Sequence, residues 1–273
     1  MKTILNKYPT PASFVLAILL FGLALVLSGI IDTPKLKQYF PYTSAILLLI
    51  ATWILYKTDR KSLSAIGLNL SARNISFLPL GLIIGAITLL IANYARAVYA
   101  GESFAIADSI NYSTLLYAFY TILPTVAVEE FLFRGYLFKK TVKSTNVIIA
   151  NIIFSVLFML IHVLDENVLS QIGMLVLLTI SIPVGHLLFA TALLKSRTLY
   201  FPIGLHLGNN WATRHLVSKS NDGNSIFYTL NNATFDTWPS FICFILLFNV
   251  VFLLLTFLIW KWGDFSFGKK KGR

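Results

Sequence analysis

Charge is what this sequence has least of. Only 12% of its 273 residues are Asp, Glu, Lys or Arg, against roughly 25% in a soluble domain. Hydrophobic residues make up 57%, and the mean hydropathy is +0.76. So little charge cannot cover a water-facing surface, which excludes an ordinary soluble fold and points to lipid as the solvent. Cysteine is nearly absent. Cys243 is alone inside an apolar run, so no disulfide forms within the chain and no cysteine cluster holds a metal. Internal repeats, low-complexity tracts and a separate polar domain are also missing, and residues 1–273 read as a single integral membrane domain. Acidic residues are the scarcer charge, with 11 against 22 Lys and Arg and a net charge of +11. In a soluble protein that balance would suggest nucleic acid. Here no basic face is interleaved with exposed aromatics, so nucleic acid is not expected as a partner. The basic residues are assigned instead to loops beside anionic headgroups.

Long apolar runs are what the sequence has in abundance. A span needs about 20 apolar residues, and eight segments qualify or come near. They are Ala12 to Ile31, Tyr42 to Tyr56, Phe77 to Tyr99, Leu115 to Phe138, Val147 to Leu164, Val168 to Leu194, Leu199 to Val217 and Trp238 to Trp260. The second and seventh are the weakest, the seventh being broken by polar residues. The first is too long for the apolar part of a signal peptide, and no small-residue cleavage site follows before Asp32. Alternating the connections between two sides puts 16 Lys and Arg on the side of the termini. They include Lys57, Arg60, Lys61, Arg73, Lys139, Lys140, Lys143, Lys195, Arg197 and the tail from Lys269 to Arg273. The other side has five: Lys35, Lys37, Arg96, Arg214 and Lys219. This bias predicts an all-α bundle of about eight transmembrane helices with both termini cytoplasmic. The segment Lys57 to Ser76 reads as interfacial, and Ser218 to Thr237 as the longest polar connection outside. Four Asn-x-Ser/Thr matches, at Asn69, Asn74, Asn111 and Asn232, are what composition alone would produce.

The informative residues are those a span should not hold. The fourth span contains adjacent carboxylates, Glu129 and Glu130, followed by Arg134. Each charge near a helix centre costs about 2.5–3.5 kcal/mol, so such residues are functional candidates by default. Glu130 and Arg134, spaced i, i+4, share a face and can pair. Glu129 lies about 100° around the helix and is left to aim elsewhere. The fifth span ends in Phe158-x-x-x-His162, and the seventh contains His206-x-x-x-Asn210, again one turn apart. Singly, a helical His is more often packing than chemistry, a Glu–Arg pair can simply pin two helices, and a span Asn is commonly glue between helices. His186 and His215, without a polar partner at helical spacing, keep those plain readings. The three sites together, on three spans, are harder to dismiss.

These three ordered motifs resemble those of the CPBP family, the type II CAAX prenyl proteases and bacteriocin-processing or self-immunity (Abi) proteins. The likeness covers about Leu115 to Trp211, within a core of about 112–215. It implies an eight-helix bundle and an intramembrane endopeptidase acting on a peptide or membrane-protein substrate. It also implies roles for six residues. Glu129 would activate water, Glu130 with Arg134 would hold the helix and shape the field, and His162 would orient the water or Glu129. His206 and Asn210 would donate hydrogen bonds to the tetrahedral oxyanion. Family members have been described both as metalloproteases and as glutamate proteases. Two histidines and a glutamate could hold zinc, but His-Glu-x-x-His is missing and an amide is a poor zinc ligand, so a metal-free site is preferred.

Two other classes compete. A proton-coupled transporter would use buried Glu and His as a relay, but its expected inverted repeats are not seen. A non-catalytic immunity protein would bind a peptide in the same fold. The expected location is a bacterial cytoplasmic membrane, and the sequence sets no oligomeric state. Depth poses a separate problem. At about 1.5 Å per residue, Glu129 lies ~13 Å and His206 ~10 Å from the cytoplasmic ends of their spans, whereas His162 lies ~22 Å from Val147. A site at one depth therefore requires the fifth helix to begin well beyond the others.

Overall fold

The computed structural model describes residues 9–231, 234–235 and 237–262. The terminal basic residues Lys2, Lys7, Lys269 to Lys271 and Arg273, and the acceptor motif at Asn232, lie outside the described residues. In chain order the helices are α1 (Pro9–Ile31), α2 (Pro34–Tyr39), α3 (Thr43–Thr58), α4 (Ala72–Ile75), α5 (Phe77–Ala100) and α6 (Tyr112–Phe133). There follow α7 (Tyr136–Ser144), α8 (Val147–Val163), α9 (Glu166–Leu169), α10 (Ile172–Ser196), α11 (Tyr200–His215) and α12 (Trp238–Lys261). The all-α expectation holds, with one small sheet added, of β1 (Phe104–Ile106), β2 (Val217–Ser218) and β3 (Phe227–Thr229). Its order is β1-β3-β2, with β1 antiparallel to β3 and β2 parallel to it. The sheet ties the connection after α5 to the one after α11.

A helix stands at each expected span, but the count of eight crossings is not met. Five helical stretches are long and apolar enough to cross a membrane: Thr10–Ile31, Ala72–Ala100, Tyr112–Ser144, Ile172–Ser196 and Trp238–Lys261. The remaining three fall short for physical reasons. α3 and α8 are apolar but only 16 and 17 residues long, about 24–26 Å of helix against a hydrocarbon core of about 30 Å. α11 has 16 residues and includes two His, two Asn and an Arg.

The depth problem is resolved by α7. Helix α6 breaks at Arg134–Gly135, where a Cβ on Gly135 would stand 2.3 Å from the Phe131 carbonyl oxygen. The chain then continues helically to Ser144 before α8 turns back. Ring contacts fix the register of this hairpin, with Phe138 against Phe154 at 5.6 Å and Phe133 against Phe158 at 4.9 Å between centroids. One turn further along, the same register sets His162 level with Glu129. Measured from Ser144, Glu129 is also ~22 Å in, so α8 does begin well beyond the end of α6.

Close approach fixes α11. Gly81 and Gly85 of α5 face Gly204 and Gly208 of α11. A Cβ on Gly85 would stand 2.2 Å from the Leu205 carbonyl oxygen, and one on Gly208 would stand 2.0 Å from that of Leu82. Two parallel small-x-x-x-small seams let the backbones touch, the standard device where lipid removes the hydrophobic drive for helix pairing. The first half of α11, from Phe201 to Gly208, is thereby buried.

The two ends of the bundle differ in charge. At one end, Lys140 pairs with Asp59 at 3.0 Å, and the Lys139 ammonium donates to the Ala65 carbonyl at 3.0 Å. Thr198 donates its hydroxyl to the Gly67 carbonyl at 3.0 Å, and Arg73 donates to that of Ser196 at 3.3 Å. The segment Lys57 to Ser76, expected as an interfacial stretch, is thus a cap over this lysine-rich end. The opposite end carries the sheet, the Arg96–Glu102 pair and the bonded pair Asp108 and Asn221.

Replacing Gly208 by alanine should reveal the seam. The overpacked interface is expected to cost about 1–3 kcal/mol, read as earlier thermal unfolding in detergent. Gly22→Ala, where a Cβ meets nothing within 4 Å, should be neutral. Equal behaviour of the two variants would rule out the seam as the constraint on α11.

Candidate active site

Glu130 is fully buried near the end of α6, and so is Arg134 at its C-cap. One carboxylate oxygen, Oε1, accepts from Arg134 Nη1 at 3.1 Å and from His206 Nδ1 at 2.8 Å. The expected i, i+4 pair is therefore present, but it is also a bridge to α11. The guanidinium is held between two rings, with its Cζ 4.0 Å from the centre of Phe158 and 5.2 Å from that of Phe189. Such cation–π contacts are stronger when desolvated. They supply a neighbour for the guanidinium faces, since Nε and Nη2 find no hydrogen-bond partner among the described residues.

Both site histidines are anchored through Nδ1. At His162 the partner is the Phe158 carbonyl, 2.8 Å away. A carbonyl only accepts, so Nδ1 carries a proton, and in the neutral ring Nε2 presents a lone pair. At His206 the Glu130 carboxylate takes the Nδ1 proton, and Nε2 stands 3.6 Å from Glu129 Oε2. Phe189 stacks on the His206 ring at 4.6 Å with a 17° tilt, fixing its plane. The geometry alters one expectation. With Nδ1–H committed to Glu130, His206 can donate from Nε2 only as the imidazolium.

Glu129, turned away from its neighbour, is partly exposed to a cavity of about 490 Å³. His162, His206 and Asn210 line the same cavity, whereas Glu130 and Arg134 lie beneath its floor. Four of the six motif residues thus share one space, and the other two support it. His215 bonds to the Asn224 carbonyl at 2.9 Å, outside this group. His186 is buried against Phe138, and its nitrogens lack hydrogen-bond partners among the described residues.

Several lining residues were not singled out from the sequence: Thr125, Ser181, Phe189, Asn209 and Asn249. Asn249 carried a usable signal as a lone amide in the apolar run of α12. It donates to Ser181 Oγ at 2.9 Å and to the Ile245 carbonyl at 2.8 Å. Phe189 carried none, because one phenylalanine among many looks like core. As for zinc, the two Nε2 atoms have the anchored orientation typical of metal ligands. Yet among the described residues no three His, Cys, Asp or Glu side chains stand close enough to share a metal ion.

One comparison with known proteins agrees with the motifs. Residues 111–212 match a family model described as type II CAAX prenyl endopeptidase Rce1-like. The match runs from just before α6 into α11 and takes in all six motif residues. No curated protein and no solved structure matches the chain.

The buried bridge makes a distinction testable by stability alone. Glu130→Gln strands Arg134 as an unpaired buried cation and is expected to cost about 3–5 kcal/mol. Glu129→Gln, which exchanges a carboxylate for an amide cheaper to bury, should not lower the unfolding temperature. Equal losses from both substitutions would show that the two carboxylates are not divided in this way.

Proposed function

We propose that this protein is a CAAX-protease-like intramembrane endopeptidase, using Glu129 to activate water. It acts on a peptide or a segment of a membrane protein. The supporting observation is the cavity shared by Glu129, His162, His206 and Asn210 inside the stretch that matches the endopeptidase family model. We also propose that the lysine-rich end faces the cytoplasm, by the positive-inside rule.

The steps follow from the anchored side chains. Water between Glu129 and His162 donates one hydrogen bond to the carboxylate and the other to the free Nε2 of His162. Glu129 takes a proton as the water oxygen attacks the peptide carbonyl carbon. The oxyanion receives hydrogen bonds from the Asn210 amide and from Nε2–H of the His206 imidazolium, each worth about 2.7–4 kcal/mol. Glu130, whose Oε1 accepts from both Arg134 and His206, holds that imidazolium in place. When the C–N bond breaks, Glu129 returns its proton to the leaving amine, and the products are a new carboxyl group and an amine. Among the residues of this cavity no serine or cysteine has a base beside it, which favours water as the nucleophile.

Turnover of a fluorogenic peptide should fall about 10²–10⁴-fold in Glu129→Gln, the range for loss of a general base. His206→Ala and Asn210→Ala should lower kcat more than they raise KM, since the oxyanion exists only in the transition state. EDTA should leave the rate unchanged. Unchanged cleavage in Glu129→Gln would end the protease reading in favour of peptide binding, and chelator loss reversed by zinc would replace the glutamate mechanism.

A further inference from the structure

Left-handed backbone in the described chain falls on three glycines, Gly67, Gly101 and Gly223, and on two arginines, Arg60 (φ 56°) and Arg197 (φ 63°). Both arginines are at the lysine-rich end. Arg60 closes α3 in the position that glycine usually fills. Its N–H donates to the Lys57 carbonyl at 2.9 Å, and the Lys61 N–H donates to the Tyr56 carbonyl at 2.7 Å. Arg197 caps α10, its N–H donating to the Leu193 carbonyl at 2.8 Å. A Cβ makes this conformation strained, and strain of this kind gathers where a side chain has a function.

The two arginines border one basic recess. Lys57, Arg60, Lys61 and Ser62 line an open hollow of about 650 Å³. Lys61 and Ala65 belong also to a second hollow of about 300 Å³, with Tyr56, Tyr136, Lys139 and Lys143. Lys61 and Arg197 both stand close enough to Lys139 to repel it. The Lys139 ammonium donates to the Ala65 carbonyl, which accepts a hydrogen bond but cancels no charge. Asp59 is the one carboxylate among the lining residues, and it is committed to Lys140 at 3.0 Å and to the Tyr136 hydroxyl at 3.1 Å. Among the described residues, none of Lys57, Arg60, Lys61, Lys139 or Lys143 has a carboxylate at ion-pair distance. The sheet end is balanced differently. There Arg96 pairs with Glu102, Lys35 and Lys37 follow Asp32, Lys219 precedes Asp222, and Arg214 lines the site cavity.

Placement points to the occupant. The hollows lie where α3 and α7 end, and the Lys57 ammonium is 6.0 Å from the centre of the exposed Trp53 ring. Tryptophan, tyrosine and lysine together mark the headgroup level of a bilayer, where basic pockets between helices hold anionic headgroups. Topology alone asks only for positive charge in these loops; it does not require arginine where the backbone favours glycine. We propose that the recess bordered by Arg60, Lys61 and Lys139 binds the phosphate of an anionic lipid headgroup. The planar fork of Arg60 suits phosphate oxygens, Lys61 and Lys139 add charge, and Tyr136 and Val142 offer the lipid an apolar wall. Held between Lys61 and Lys139, the phosphate ties the cap to α7.

Thermal unfolding of the purified full chain in detergent reads this binding without a cleavage assay, so its outcome is independent of the peptidase reading. Added dioleoyl-phosphatidylglycerol should raise the unfolding temperature, whereas dioleoyl-phosphatidylcholine and free glycerol phosphate should not. Arg60→Gly relaxes the left-handed turn, so without phosphatidylglycerol this variant should unfold no earlier than the wild type. It should nonetheless need roughly fivefold more phosphatidylglycerol for the same rise, the loss of about 1 kcal/mol per basic side chain. Lys61→Gln should raise the requirement in the same way, and Lys35→Gln, at the sheet end, should leave it unchanged. No rise with phosphatidylglycerol, or an equal rise with phosphatidylcholine or glycerol phosphate, overturns the lipid phosphate as ligand. A full response in both Arg60→Gly and Lys61→Gln, or an equal loss in Lys35→Gln, overturns the recess as its site.

Discussion

One carboxylate oxygen, Glu130 Oε1, is shared between a guanidinium and an imidazole where solvent does not reach. An ion in that position is tolerable only if each partner is held in place, because an unpaired buried charge costs several kcal/mol. The partners come from different parts of the chain, Arg134 from the end of α6 and His206 from α11. The bundle must therefore bring α11, its most polar long helix, against α6. The glycine seams with α5 carry α11 into the core, and Phe158 and Phe189 close over the charges. The exposed member of the carboxylate pair, Glu129, is left facing the cavity because its neighbour is committed.

The sequence showed which polar groups stand in apolar helices more clearly than it showed the architecture. Charged and amide groups in apolar runs are conspicuous because lipid makes them costly, so the six motif residues could be found without a structure. The i, i+4 spacing of Glu130 and Arg134 also gave their pairing correctly. The bridge to His206 was not legible, because helix spacing says nothing about which face of α11 meets α6. That information sat in Gly204 and Gly208, and in Gly81 and Gly85, whose repeat was present but not used.

The expected count of eight finds support in only five stretches long and apolar enough to cross a membrane. Hydropathy registers apolar runs whatever their length, and α3 and α8 bury one face against neighbours while leaving many apolar side chains exposed. Treating every run as a full crossing also produced the mismatch in depth. The break at Gly135 and the continuation into α7 remove it, but a basic, weakly apolar stretch such as Tyr136 to Ser144 gives hydropathy no reason to extend the helix. The small sheet escaped for a different reason, since strands of two and three residues carry no periodicity to read.

The hairpin of α7 and α8 also limits how the chain can vary in length. Connections between helices usually tolerate gained or lost residues, and the short turn at Thr145 and Asn146 contains no side chain that the proposed chemistry uses. One residue added to α8 would nevertheless shift its register by 1.5 Å and turn His162 by about 100°, carrying its ring out of the cavity it shares with Glu129. Among relatives that keep the same site, the interval from Glu129 to His162 should therefore be nearly invariant, while the sequence filling it drifts.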